Sequence, residues 1–387
     1  MYSSPQTSLF PVCETTMAAD TTGERAAILP THGVSGCTMD TPTITAHPFF
    51  QFIDPAPEAV NHEPRIQVTR RSDRSNRTAV LQFVTRRFRK QFQKSQEPYP
   101  GGSPTLTPKK SIRKKCSVSE RTVDDINIYD VCRIAETKKP CKKRIYYFCG
   151  GGWQNPPASQ HWLLCAKLAR KLDSTTVSII SAPLAPNTPA PKAFPLLYTL
   201  YRTLMQSAQD EGVEVILAGD SSGGNIALSL AVEALLRDEV AASGDDAHTP
   251  KQPSALMLIS PSVDLTRSNP DIENVQALDP LLTPDFIRAT AQTWTGEWNE
   301  KDSRVSPLFG NILLFKKYGV KVHGVTGSYD ILTPDALRFR KKLEQEGVEG
   351  SWLEWDKQIH CFPLTFSYHF PEGKEAVRWM VEVLKGE

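Results

Sequence analysis

One stretch limits the choice of folds more than any other. Val213-Glu-Val-Ile-Leu-Ala218 is a short apolar run of strand-like composition, and it passes directly into Gly219-Asp220-Ser221-Ser222-Gly223-Gly224. The chain leaves through an Ala/Leu-rich stretch, residues 224–238, that reads as helix. A strand that becomes a helix within so few residues crowds its own backbone, so the positions around the turn must lack bulk. Gly219, Gly223 and Gly224 meet that requirement. The turn would set Ser221 at a helix N-terminus, where free N–H groups and the helix dipole favour developing negative charge.

The rest of the chain repeats the same unit. From residue 144, short apolar runs at 144–149, 177–181, 255–259, 320–325 and 351–355 end in Gly, Ser or Pro clusters. Helical stretches separate most of them, at 159–172, 193–209 and 334–346, and a helix over 374–385 closes the series. Strand and helix in alternation specify an α/β fold, a mostly parallel central sheet with helices on both faces. Ahead of this series, Arg121-Thr-Val-Asp-Asp-Ile-Asn-Ile-Tyr-Asp-Val131 alternates as one further strand.

Composition matters most near the N-terminus. The formal charge is only +2, yet residues 65–115 hold 15 Lys+Arg against 2 Asp+Glu, leaving the remainder acidic. Residues 1–63 are rich in Thr, Pro, Ser and Ala without sustained periodicity and read as a loose or disordered leader. Residues 64–121 read as a basic cap or lid segment, and 122–387 as the catalytic domain. Within the cap segment, residues 78–93 form a basic amphipathic helix with Leu81, Val84, Phe88 and Phe92 on one face. Packing of that stripe over the active site is the first expectation, and contact with an anionic membrane surface is the second. Nucleic acid is not expected, because no recognition motif accompanies the charge. No run approaches the ~20 apolar residues of a membrane-spanning helix. The eight cysteines include no CxxC pair and no zinc spacing, and no secretory signal opens the chain. A cytoplasmic protein, or one peripheral to an internal membrane, is the expectation.

Serine near neutral pH is a poor nucleophile, so Ser221 needs a base and a carboxylate to orient that base. In sheets of this kind the order along the chain is Ser, acid, His, each at a strand end. His360 follows the strand 351–355 and can swing over the sheet, whereas His323 lies inside a strand and His369 in an aromatic loop. Asp330 follows the strand 320–325. Asp335, in the first turn of a helix, and Asp356 are weaker rivals. Gly150-Gly151-Gly152, between an apolar strand and Trp153, leaves backbone N–H groups free to hold an oxyanion together with the N–H of Ser222.

These residues resemble the hormone-sensitive-lipase group of α/β-hydrolases, and in particular its fungal-type steryl acetate hydrolases and acetylesterases. The resemblance covers residues 122–387. It is carried by Cys149-Gly-Gly-Gly-Trp153, Gly219-Asp-Ser-Ser-Gly-Gly224, Ser260-Pro-Ser-Val-Asp-Leu265, Asp279-Pro-Leu-Leu282, Ser306-Pro-Leu308, Tyr329-Asp-Ile-Leu332 and His360-Cys-Phe362. It implies a serine esterase without metal or organic cofactor, acting on a small hydrophobic ester, with short acyl chains and a bulky apolar alcohol such as a sterol. It implies Gly151, Gly152 and Ser222 as oxyanion donors, with Gly150 shaping the loop and Asp220 and Gly224 building the elbow. It also implies a cap made from 78–93 and from an insertion after the sixth strand, residues 266–305, with Trp153, Trp294 and Trp298 against the substrate. Cys149 stands where the group has histidine, and Ala182-Pro-Leu-Ala-Pro-Asn187 lacks the group's Tyr and Glu. With Cys149 and Cys361 flanking the site, thiol reagents are expected to inhibit.

Overall fold

In the computed structural model, which describes residues 65–93, 97–242 and 251–387, nine strands form one sheet. The strands are β1 (Ile66–Arg71), β2 (Cys116–Val123), β3 (Ile126–Arg133), β4 (Lys143–Phe148), β5 (Thr175–Ile180), β6 (Glu214–Asp220), β7 (Ala255–Ile259), β8 (Lys321–Tyr329) and β9 (Gly350–Ile359). Their order across the sheet is β1-β9-β8-β7-β6-β4-β5-β3-β2, parallel except where β3 meets β2 and β5. The expected leader, 1–63, lies outside the described residues.

Among the described residues ten α-helices accompany the sheet. Directly after β1 come α1 (Asn76–Arg87) and α2 (Arg89–Phe92), and between the later parallel strands run α3 (Ser159–Lys171), α4 (Ala190–Asp210) and α5 (Ser221–Ala241). The insertion between β7 and β8 carries α6 (Asp271–Gln276), α7 (Pro284–Thr295) and α8 (Leu313–Lys317), and α9 (Thr333–Gln345) and α10 (Pro371–Lys385) complete the set. Both sheet faces are buried. Val215, Leu217, Leu256 and Leu258 point into one cluster with α4 and α5, while Ile216, Ala218, Met257 and Ile259 point into another with α3 and α10. The period-2 alternation of a strand divides each apolar run between the two layers.

The basic segment 64–121 is not purely a cap. Its first element, β1, is an edge strand of the sheet, in parallel register with β9 from Ile66↔Gly350 to Arg71↔Trp355. The stretch 121–131 is not one strand but the turn and arms of the β2–β3 hairpin. Asp124 and Asp125 both take positive φ (48° and 60°), the conformation a tight two-residue hairpin needs.

The helix expected over 78–93 forms, but it is turned over. Its buried face is polar: Thr78, Gln82 and Thr85. Thr78 Oγ1 donates to Glu372 Oε2 (2.6 Å), and Gln82 Nε2 donates to the Lys357 carbonyl (2.6 Å). Ser75 caps the helix and also bonds Glu372. Of the expected stripe, Leu81 is partly buried, while Val84 and Phe88 face solvent along with Val80 and Phe83; the Phe92 side chain is outside the described residues. Arg86 donates to the carbonyls of Ala277 and Leu278, and Arg89 to that of Asp279, so α1 and α2 are tied to the insertion by backbone acceptors.

Candidate active site

Three strand ends bring together the residues that the sequence sets far apart. β6 ends at Asp220, and Ser221 begins α5 with φ +52°. Such a conformation costs a non-glycine residue roughly 1–2 kcal/mol, and close contacts on both sides hold it. A Cβ on Gly223 would lie 2.1 Å from the Phe148 carbonyl oxygen, so only glycine lets α5 start this close to β4. β9 ends at Ile359. Cys361 follows with φ +51°, its N–H donating to Ser260 Oγ (3.1 Å), and this turn carries His360 over the sheet.

Ser221 Oγ lies 2.9 Å from His360 Nε2, and His360 Nδ1 lies 2.8 Å from Asp330 Oδ2. Asp330 is fully buried, and its other oxygen accepts the Leu332 N–H (2.9 Å). An acceptor carboxylate at Nδ1 fixes the proton there and leaves Nε2 free to accept from the serine. Burial opposes charging His360, but the Asp330 carboxylate outweighs it and holds the imidazolium pKa well above the ordinary histidine value. The rivals are engaged elsewhere: Asp335 accepts from Asn269 (2.8 Å), Asp356 from Ser328 (2.6 Å), and His323 Nδ1 accepts the Ser351 N–H (3.0 Å).

The Gly150–Gly152 loop arches over the start of α5. The Gly151 carbonyl turns away to accept the N–H groups of Gln154 and Asn155, while the Gly151 and Gly152 amides have no protein acceptor among the described residues. Gly150 anchors the loop, its N–H donating to Asp220 Oδ1 (3.0 Å). A Cβ on Gly150 would lie 2.4 Å from Asp220 Oδ2.

Asp220 is the hub of this arrangement. Tyr147 donates to Oδ1 (2.9 Å) and His161 Nε2 lies 3.2 Å from Oδ2. His161 Nδ1 accepts the Ala158 N–H (2.9 Å), which puts the ring proton on Nε2, facing the carboxylate. Burial alone would raise the Asp220 pKa, but His161, with hydrogen bonds from Gly150 and Tyr147, overrides it and holds the group below the usual value. The loop is therefore fixed through Asp220 although Cys149 replaces histidine in the glycine motif. Behind the acid, Asp279 accepts the N–H groups of Leu281, Leu282 and Ile331, the last beside Asp330. Burial and the Asp330 charge raise its pKa. Sequence reasoning singled out neither His161 nor Tyr147, and took Asp279 only as part of a motif. No spacing in the chain ties a residue on a helix to a carboxylate 59 positions later.

Ser221 opens onto a cavity of about 570 Å³, with walls from α1 (Leu81, Thr85), the loop (Trp153), the insertion (Leu281, Leu282, Phe286, Ile287, Thr290) and the turn after His360 (Leu364, Tyr368). Of the three tryptophans expected against substrate, Trp153 alone is in the wall. Trp294 is buried behind it, stacked at 5.8 Å and 11°. Trp298 packs against Phe194 and lies under the Arg304 guanidinium (3.8 Å). Aliphatic side chains of the insertion take the place given to those two. Burial pushes the Cys361 thiol up to about 12 and raises Cys149 well above the normal range. A raised thiol pKa lowers the thiolate fraction on which thiol reagents depend, which weighs against the expectation from their placement.

Residues 145–364 match the α/β-hydrolase fold family. An esterase of Acinetobacter venetianus is 30% identical over 240 residues, covering 62% of this chain and 73% of that protein. Neutral cholesterol ester hydrolase 1 of Bos taurus is 22% identical over 306 residues, covering 63% and 74%. The solved structure of an esterase from the bacterial hormone-sensitive lipase family superposes with a TM-score of 0.62 at 19% identity, covering 81% of this chain and 99% of that one.

Proposed function

The chain belongs to the α/β-hydrolase fold family as an esterase-type carboxylic-ester hydrolase, and from that premise we propose that Ser221, His360 and Asp330 are its catalytic triad and that short acyl esters of a bulky hydrophobic alcohol are its substrates. The observation that carries the triad is the unbroken chain of hydrogen bonds from Ser221 through His360 to Asp330, opening onto a cavity. The apolar walls of that cavity support a hydrophobic substrate. The short acyl chain and the sterol-like alcohol rest on the resemblance to steryl acetate hydrolases. The likeness to a cholesterol ester hydrolase supports the alcohol.

His360 Nε2 takes the proton of Ser221 Oγ as that oxygen attacks the ester carbonyl. The carbonyl π pair moves onto oxygen, and the amides of Gly151, Gly152 and Ser222 hold the resulting oxyanion. Asp330 stabilises the imidazolium without taking its proton. His360 then protonates the departing alcohol as the C–O bond breaks, leaving an acyl-Ser221. A water molecule, deprotonated by His360, attacks the acyl carbon, and the collapse returns the proton to Ser221 and releases the carboxylic acid.

The test uses a fluorophosphonate probe and p-nitrophenyl esters from acetate to dodecanoate. Wild type is expected to label and to hydrolyse the short esters fastest. Ser221→Ala is expected to lose labelling and on the order of 10⁶-fold in kcat, as in other serine hydrolases. Labelling that persists in Ser221→Ala would overturn the nucleophile, and a rate that climbs to the longest ester would overturn the acyl preference.

A further inference from the structure

A second cavity, of about 860 Å³, opens between α3, α10 and the turn at Lys110–Lys114. Its lining includes Lys115, Lys167, Arg170, Lys171, Lys374 and Arg378, against the single acid Glu382, which is paired with Lys385. Arg378 has an ion pair with Glu375, but the other five have none among the described residues. Burial and the surrounding cations hold Lys167 below the usual lysine pKa. Like charges packed this way repel one another unless an anion fills the space between them.

The outer face of α1 presents a different chemistry close by. Val80, Phe83, Val84 and Phe88 are 44–75% exposed. Arg77, Arg87 and Lys90 stand around them without an ion pair among the described residues. Val80 and Val84 share an apolar groove with Phe370. The segment 364–374 connects these surfaces to the catalytic one. Leu364 and Tyr368 line the catalytic cavity, Phe366, His369 and Lys374 the cationic cleft, and Phe370 the apolar groove.

We propose that the cationic cleft, the exposed face of α1 and the segment joining them form a docking surface for anionic lipid bilayers. The cations would meet phosphate-bearing headgroups, and Phe83, Val80 and Val84 would enter the headgroup–acyl boundary. Each half of the surface limits the choice of partner. A soluble polyphosphate or a nucleic acid would use the cleft but gives no reason for an exposed aliphatic and aromatic helix face. A neutral apolar partner would leave the cleft unexplained. Because Leu81 and Thr85 of α1 line the catalytic cavity, a docked α1 would bring its mouth to the phase where hydrophobic esters partition. Among the described residues no helix is long and apolar enough to cross a membrane.

The test is co-sedimentation of the full chain with phosphatidylcholine vesicles, with and without phosphatidylserine. Binding is expected only with phosphatidylserine and is expected to fall as NaCl is raised. Phe83→Glu combined with Val80→Glu, and separately Lys115→Glu combined with Lys171→Glu and Lys374→Glu, are each expected to weaken binding at least about tenfold. Hydrolysis of water-soluble p-nitrophenyl acetate is expected to stay unchanged in both variants, which reports folding and keeps the result separate from the triad assignment. Equal binding to both vesicle types, or binding indifferent to either variant, would overturn the proposal. So would tripolyphosphate binding by a protein that ignores the vesicles, or self-association abolished by the α1 variant without vesicle binding.

Discussion

Two regions meet at the turn that follows His360, and they treat charge in opposite ways. On the catalytic side, Asp220, Asp279 and Asp330 are buried and His360 is mostly so, and each has partners at hydrogen-bond distance. On the basic side, Lys115, Lys167, Arg170, Lys171 and Lys374 line one cleft without an ion pair among the described residues. A desolvated charge must have its partner built into the fold, because an unpaired one costs several kcal/mol. An exposed cation can rely on water and salt until a ligand arrives. The first region is therefore set before any substrate binds, while the second is completed by what docks on it.

Replacing a partner inside the catalytic region is the most severe way to probe that contrast. Asp330→Asn keeps the shape but lets the side-chain amide select the wrong imidazole tautomer, and kcat is expected to fall about 10⁴-fold. The pH profile supplies the sign. The proposed general base must be neutral, and Asp330 raises the pKa at which His360 becomes neutral, so the acid limb of the wild-type rate profile is expected above the ordinary histidine value. In Asp330→Asn burial is no longer opposed by a carboxylate, and the residual activity is expected to persist to lower pH. A limb that does not move would show that the carboxylate does not govern His360. Charge reversal of the basic face, by contrast, is expected to leave this profile where it is.

The same contrast decides what could be read from the chain. The meeting of Ser221, Asp330 and His360 was legible because each sits in a local pattern, an apolar run ending in small or polar residues, and the sheet then aligns the ends. His161 was not legible, because its importance arises from α3 lying over β6. The strand β1 was missed because Ile66-Gln-Val-Thr-Arg-Arg71 is an edge strand, with Arg70 paired to Glu354 and Arg71 to Asp73, and charged edges hide the period-2 signal. The orientation of α1 was misread for a related reason. Helical periodicity identifies an apolar stripe and says nothing of where it points, and here Glu372 and the Lys357 carbonyl capture the polar face instead. Trp294 and Trp298 were placed against substrate by the resemblance, whereas Trp294 stacks on Trp153 of the glycine loop and Trp298 packs edge-on against Phe194 of α4.

A smaller effect is expected from the hub carboxylate. His161→Leu removes the donor to Asp220 Oδ2, and loss of a hydrogen bond to a buried charge costs about 1.5–3 kcal/mol. The Asp220 pKa is held low in the folded chain, so its contribution to stability is present above the ordinary carboxylate value and is lost as pH falls through the folded value. Without His161, burial gains weight and the group takes up a proton more readily. The stability gap between wild type and variant is therefore expected to be widest near neutrality and to narrow as pH falls towards 4, read from urea midpoints. A gap of constant size would mean that His161 acts by packing rather than through the carboxylate.

The smallest expected effect concerns the two thiols beside the site, and it asks whether the catalytic side is as settled as its hydrogen bonds indicate. Cys361 Sγ lies 3.4 Å from His360 Nε2 and 3.7 Å from Asp220 Oδ2. A thiol pKa of about 12 leaves about 10⁻⁴ of the thiolate at pH 8. Iodoacetamide reacts with thiolate, so the native protein is expected to keep its turnover after exposure to excess reagent at that pH. Mass spectrometry should find Cys149 and Cys361 unmodified until urea is added. Rapid alkylation of Cys361 with loss of turnover would place a thiolate against His360. The imidazolium would then have two competing counter-charges, and the pH profile attributed to Asp330 alone would no longer follow.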